Sequence, residues 1–164
     1  MNEAMKWQLA LWLARLTLTV TFFFNVSCAL AFILSPTAYM GGFEVSGVPG
    51  EVLVRGMGIL FLMWNVTYPP AIWHPWRHRQ MFAVILVQQV TGLAGETWMW
   101  LTLPPGHNPL AATGQRFILF DGGGLVAMSF TFAFLWIIGH TRKQLHRNQS
   151  RHPEDSGGHQ KGGS

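Results

Sequence analysis

Charge is what this chain has least of. Of its 164 residues only 11% are Asp, Glu, Lys or Arg, whereas soluble domains carry about 25%. That scarcity excludes a disordered chain and argues against an ordinary soluble enzyme. Cysteine is almost missing too. Cys28 is the single thiol, so no intramolecular disulfide forms, and the redox compartment leaves no mark on the sequence. Lys and Arg are absent from two whole stretches, 35–51 and 104–115. There is no nucleophile elbow, zinc-protease motif or dinucleotide fingerprint. What remains is apolar. Hydrophobic residues make up 49% of the chain and aromatics 13%, eight of them Trp, and the mean hydropathy is +0.24. The class this composition implies is an integral membrane protein.

Hydrophobic runs place four spans, each near the 20 residues a bilayer requires. They cover about Trp7–Leu34, Val52–Ile72, Met81–Leu103 and Arg116–Ile138. Ser35-Pro36 ends the first, Pro69-Pro70 kinks or ends the second, and Pro104-Pro105-Gly106 stops the third. The first run is too long for a signal-peptide core and contains Arg15, so it reads as a retained span. The expected fold is all-α: a four-helix transmembrane bundle over residues 1–140, followed by a cytoplasmic polar tail, 141–164. The part of that tail from about Pro153 onward reads as disordered.

The distribution of positive charge sets the orientation. Arg77 and Arg79 lie between the second and third spans. Lys6 precedes the first, and Arg142, Lys143, Arg147, Arg151 and Lys161 follow the fourth. Both termini are therefore expected in the cytoplasm, in a cell (plasma or inner) membrane. The net charge of +4 then reflects topology and attraction to anionic lipid, not nucleic-acid binding. His74 and His78 have the i, i+4 spacing of a metal pair. They flank Pro75 in an interfacial loop, so they read as part of that basic loop. No haem, flavin or metal cofactor is expected.

The polar residues that remain inside the spans are informative, because a charge in hydrocarbon faces the bundle interior or a wet cavity. With the orientation above, Asn25, Glu51, Arg55, Glu96, Arg116 and Asp121 all fall in the outer half. Helical phase groups them with other residues. Glu51, Arg55, Gly58, Leu62 and Asn65 share a face; so do Gln88, Gln89, Gly92, Gly95 and Glu96. Thr17, Thr21, Asn25 and Cys28 form a stripe, as do Asp121, Gly124, Leu125 and Met128. Three functions fit this layer. It could be purely structural, with Arg55 neutralising Glu96 and Arg116 pairing with Asp121. It could be an outward-opening pocket for a lipid, quinone or other amphipathic molecule. It could be a proton path through Glu96 and Asp121. In the pocket reading, Arg55 is a fixed positive charge, Glu96 and Asp121 are acceptors and Asn25 orients the ligand. Lower down, Arg15 either snorkels to the inner interface or meets Gln88 or Asn65. The run Asp121-Gly122-Gly123-Gly124 weakens a helix by about 1 kcal/mol per glycine. It reads either as tight helix packing or as a thinned wall that admits a ligand.

The layout resembles the small DoxX-like four-helix membrane proteins over roughly Leu9–Ile138. The likeness rests on a first span ended by Pro36, a short outer loop, and a second span opening with Glu51-Val52-Leu53-Val54-Arg55-Gly56-Met57-Gly58. Some members of that group are linked to quinone-coupled sulfur oxidation. The resemblance therefore implies, as an alternative, a subunit of a quinone-linked oxidoreductase whose cofactor sits on a partner chain. A homo-oligomer or a larger membrane complex is the corresponding expectation for partners. A small proton-coupled transporter is the third reading.

Overall fold

The computed structural model describes residues 2–149; the segment from Pro153 onward lies outside them. The described residues form helices and connecting turns, with no strand among them. We number the helices α1 (Glu3–Leu34), α2 (Gly47–Asn65), α3 (Tyr68–Trp73), α4 (Arg79–Leu101) and α5 (Asn108–Gln149). Two short 3-10 turns, Pro36–Ala38 and Met40–Phe43, join α1 to α2. Three helical segments are long and apolar enough to cross a membrane: Glu3–Leu34, Gly47–Trp73 and Asn108–Arg142. The 23 residues of α4 reach about 35 Å, but this helix carries Gln88, Gln89 and Glu96 and is less apolar.

Local chemistry sets the helix ends. Asn2 caps α1 through its side chain, accepting from the Ala4 N–H, and Glu3 places an acid in the positive first turn. Ser35-Pro36 ends α1 as expected. Pro69-Pro70 breaks the second hydrophobic run into α2 and α3, since neither proline can donate the backbone hydrogen bond that a continuous helix needs. The break falls earlier than the prolines, at Val66–Thr67. The fourth run departs furthest from expectation. Its helix begins eight residues before Arg116 and continues past Ile138 through the basic segment to Gln149. Gly139 does not stop it, because glycine weakens a helix without removing its hydrogen bonds.

α1 is the central packing helix. It lies against α2 on one side and α5 on the other, with α3 also against it; α4 packs on α5 and α3. α2 and α4 are not packed closely on each other. At the end carrying the chain termini, a core of Ala10, Ala14, Leu18, Tyr68, Ala71, Phe82, Ile85, Met128, Leu135 and Ile138 is buried. The alanines let α1 approach its neighbours, and Thr17 and Thr131 bridge α1 to α5 with hydroxyls 3.0 Å apart. Arg15 meets neither Gln88 nor Asn65. Its Nη2 donates to the Trp73 carbonyl at 3.1 Å, where the C-terminal end of α3 favours a cation. At the opposite end Phe32, Phe43, Phe61 and Phe117 interlock edge-to-face and stacked. A clasp there joins the two loops: Glu44 pairs with His107 and accepts from the Leu110 N–H, while Thr113 donates to the Gly42 carbonyl. Glu44 adopts a left-handed conformation, φ 54°, which costs a non-glycine residue about 1–3 kcal/mol. Its carboxylate contacts to His107 and Leu110 hold it in that conformation. The same His107 contact and the Leu110 N–H hold the Glu44 carboxyl below its ordinary value.

Candidate functional site

Between the core at the terminal end and the aromatic cluster at the other lies a cavity of about 280 Å³. Four helices line it, each by residues one or two turns apart. α1 contributes Phe24, Asn25 and Cys28; α2 contributes Phe61, Trp64 and Asn65. α4 presents Gln88, Gln89, Gly92 and Glu96, and α5 presents Arg116, Phe117, Phe120 and Asp121. These are i, i+3, i+4 and i, i+4, i+8 spacings, so the helical phases read from the sequence do bring the polar residues to one place.

Four of the six residues of the outer polar layer line this cavity: Asn25, Glu96, Arg116 and Asp121. Glu51 and Arg55 do not. Arg55 is exposed, and its Nε donates to the Ile33 carbonyl at 3.3 Å. Gly58 and Asn65, on the same helical stripe, are buried, so the stripe turns inward below Arg55 and leaves the guanidinium at its outer edge. The opposite-charge pairs expected from composition do not form. Among the described residues the ion pairs are Lys6–Glu3 and His107–Glu44. Neither Arg55–Glu96 nor Arg116–Asp121 is among them, and Glu51 does not pair with Arg55. Instead the two acids meet. The carboxyls of Glu96 and Asp121 lie within hydrogen-bonding reach of each other. Gln89 Nε2 donates to Asp121 Oδ1 at 2.8 Å. Two carboxylates in contact repel unless a shared proton or a cation lies between them.

Other polar atoms around the cavity are left without partners. Asn65 is only 4% exposed. Its Nδ2 donates to the Phe61 carbonyl at 2.7 Å, but its Oδ1 is buried and unbonded. Glu96 Oε2 shares that condition, as do Tyr68 Oη and Arg15 Nε outside the lining. Buried polar groups are normally satisfied, and each exception calls for an explanation. Two of these four atoms, on Asn65 and Glu96, belong to the cavity. Sequence reasoning placed Asn65 and Gln89 on the right faces but not in the site. The signal was present in Gln88-Gln89, adjacent amides inside an otherwise apolar run. The aromatic walls could not be separated from ordinary core aromatics by spacing alone.

The glycine run sits beside the acids. A side-chain carbon added at Gly124 would meet Thr21 at 3.6 Å, one at Gly122 would meet Leu93 at 3.9 Å, and one at Gly123 would meet nothing within 4 Å. The helix is continuous through all three. Closer approaches lie elsewhere: at Gly58 the added carbon would lie 2.6 Å from the Ala29 carbonyl oxygen, and at Gly139 nearer still to the Trp76 ring.

Phe61 and Phe117 line the cavity and interlock with Phe32 and Phe43 at the end where the sequence suggested an opening, and the exposed Arg116 belongs to the lining there too. A groove of about 420 Å³ lies between α2 and α4, lined by Trp64, Ala83, Val84, Val87, Gln88 and Thr91. It shares Trp64 and Gln88 with the cavity. No group of His, Cys, Asp and Glu among the described residues is arranged to hold a metal ion. Comparison with protein-family models, with curated proteins and with solved structures gives no match.

Proposed function

We propose that this chain is a small binding or accessory protein of the cell membrane, a four-span bundle with both termini cytoplasmic, which holds an amphipathic small molecule in the cavity between α1, α2, α4 and α5. One observation carries the reading. A cavity of about 280 Å³ collects buried acceptors, Asn65 Oδ1 and Glu96 Oε2, that the protein itself leaves unbonded. Small-molecule sites begin near 300 Å³ and combine apolar walls with a few placed polar groups. This one is at the small end, the size of a head group or ring. α4 is the fourth span in this proposal: its polar residues face the cavity, and its outward face is apolar.

The test is native mass spectrometry of the full chain purified in mild detergent, with Gly92 as the probe position. A carbon added at Gly92 would sit 3.6 Å from Trp64 and 3.9 Å from Asp121 Oδ2, so Gly92→Leu fills the cavity without striking backbone. Wild type should retain a small-molecule adduct, and Gly92→Leu should lose it. Gly123→Leu, in open space, should keep it. An adduct retained by Gly92→Leu refutes the site. Orientation is tested separately in a Cys28→Ser background with an impermeant maleimide added from outside the cell. Pro105→Cys should label and Arg77→Cys should not; the reverse pattern refutes the proposed topology.

The paired carboxyls favour one second reading, proton-coupled transport through Glu96 and Asp121. It requires flux into proteoliposomes that Glu96→Gln abolishes. An absence of flux under any imposed gradient removes it. The DoxX-like resemblance keeps a quinone-linked subunit as a further proposal, tested by co-purification of a redox partner.

A further inference from the structure

The acidic end of the cavity offers acceptors, while Asn25, Trp64, Gln88 and Arg116 bring donors to other parts of its lining. The amide hydrogens nearest its acidic end are already used: Gln89 donates to Asp121 and Asn65 donates to the Phe61 carbonyl. What remains open is Glu96 Oε2, Asn65 Oδ1 and the second oxygen of Asp121, beside Gly92. A quinone or an ester presents carbonyl acceptors to these atoms and leaves both sides unsatisfied. An anionic head group meets two acids. Arg116, the one cation in the lining, is exposed. It lies five residues from Asp121, about 7.5 Å along the helix toward the aromatic cluster. A primary ammonium has three donors and no acceptor. It carries the charge that relieves repulsion between the two acids, and aromatic walls favour cations further.

We propose that this cavity selects a protonated primary amine on an apolar body, with the ammonium held by Glu96, Asp121 and Asn65 and the body lying toward the α2–α4 groove. The inference rests on the binding-pocket reading above and narrows its ligand class. The groove fits the second half of the ligand. It shares Trp64 and Gln88 with the cavity lining, and its wall carries the exposed Val84 and Val87. A molecule dissolved in lipid would reach the acids from the side.

The test uses four eight-carbon probes on the full chain in non-ionic detergent, followed by calorimetry: octylammonium, octyltrimethylammonium, octanol and octanoate. Octylammonium should bind saturably at one site. The trimethyl compound, which keeps the charge but has no N–H, should bind at least about tenfold more weakly. Octanol and octanoate should show no saturable binding. Glu96→Gln and Asp121→Asn should each weaken octylammonium at least about tenfold, and Glu3→Gln should not. Melting curves identify any variant that has lost its fold, and either acid variant suffices. If octanol or octanoate matches octylammonium, or if neither acid variant weakens it, the amine inference is overturned. It is also overturned if the trimethyl compound binds as tightly. The pocket reading survives these outcomes as long as Gly92→Leu still abolishes binding. If Gly92→Leu leaves octylammonium binding intact, the cavity is not the site and both fall.

Discussion

Gly58 is where α1 and α2 pack most closely against backbone. A methyl group there would come within 2.6 Å of the Ala29 carbonyl oxygen, 2.8 Å of Ile33 Cγ1 and 3.0 Å of Phe32 Cβ. The nearest atom is backbone and cannot rotate aside. Ordinary contact then requires α1 and α2 to part by roughly 0.8 Å, a gap that forfeits a quarter to a half of each dispersion contact it opens. Overpacking of this kind costs about 1–3 kcal/mol. Ala is also favoured over Gly in a helix by about 1 kcal/mol, so Gly58→Ala alone mixes two effects of opposite sign. Gly56, on the same helix, separates them because an added carbon there meets nothing within 4 Å. The propensity gain is common to both variants and cancels in their difference. Gly56→Ala should be neutral or stabilising. Gly58→Ala should fall below it by about 1–3 kcal/mol, or roughly 2–12 °C in Tm for a chain of this size. Tryptophan fluorescence during thermal unfolding in detergent measures both. Equal shifts in the two variants would refute the claim that α1 and α2 touch backbone to backbone at Gly58.

Three further outcomes follow from contacts elsewhere. Thr131→Val removes the hydroxyl that Thr17 meets at 3.0 Å; such interhelical bonds in membranes average about 0.6 kcal/mol and reach about 1.7, and a double-mutant cycle with Thr17→Val should return a coupling in that range. Gln89→Leu strips Asp121 of its donor and should destabilise by about 1–3 kcal/mol; Gln89→Glu, which adds a third acid in place of the amide, should be worse by the same melting assay. Glu44 is held below its ordinary value of 4.5, first by its bond to His107 and also by the Leu110 N–H. A lowered carboxyl stabilises the fold above its unfolded value and loses that contribution as pH falls through the folded one. Protection of the Leu110 amide, its exchange rate relative to an unfolded amide at the same pH, should therefore fall as pH drops below about 4.5, and Glu44→Gln should remove that pH dependence.

Helical phase was readable in the sequence; rotation between helices was not. The stripe Thr17, Thr21, Asn25 and Cys28 and the stripe Asp121, Gly124, Leu125 and Met128 both face inward because each is set by the 3.6-residue period within one helix. Which side chains meet across helices depends on how each helix is turned about its own axis, and no periodicity encodes that. Charge complementarity therefore suggested Arg55–Glu96 and Arg116–Asp121, whereas the packing joins Glu96 to Asp121 and leaves both arginines exposed. Arg55 shows how small the margin is. It sits three residues from the buried Gly58, about 60° around the helix from it, and that is enough to place it on the surface. The extent of α5 was hidden for another reason. Hydropathy marks where a helix stops being apolar, at Ile138, and Thr141, Arg142 and Gln144 continue it as a polar helix. The turn at Val66–Thr67 was visible only as Pro69-Pro70, because a proline lacks the N–H that would bond the carbonyl four residues earlier, here Asn65 and Val66, and so breaks the helix upstream of its own ring.

The low hydropathy of α4 and the cavity have the same cause. α4 misses the apolar composition of the other three long segments because of a few residues, chiefly Gln88, Gln89 and Glu96. All three line the cavity. The face they leave is Val84, Val87, Val90, Trp98, Met99 and Leu101, every one exposed and apolar. Thr91 and Thr97 are polar exceptions there; the Thr91 hydroxyl donates to the Val87 carbonyl at 2.9 Å, so it presents no unsatisfied group to lipid. A helix that was simply water-exposed would scatter its polar residues around the axis. One that avoided lipid by burial would show few exposed apolar side chains. α4 does neither: within its apolar run the two amides and the acid all line the cavity. A helix can hold two amides and an acid in hydrocarbon only if neighbouring helices satisfy them, and here Asp121 satisfies Gln89 and Thr67 satisfies Gln88. Glu96 keeps one oxygen open, and that residual valence is what a bound cation would fill.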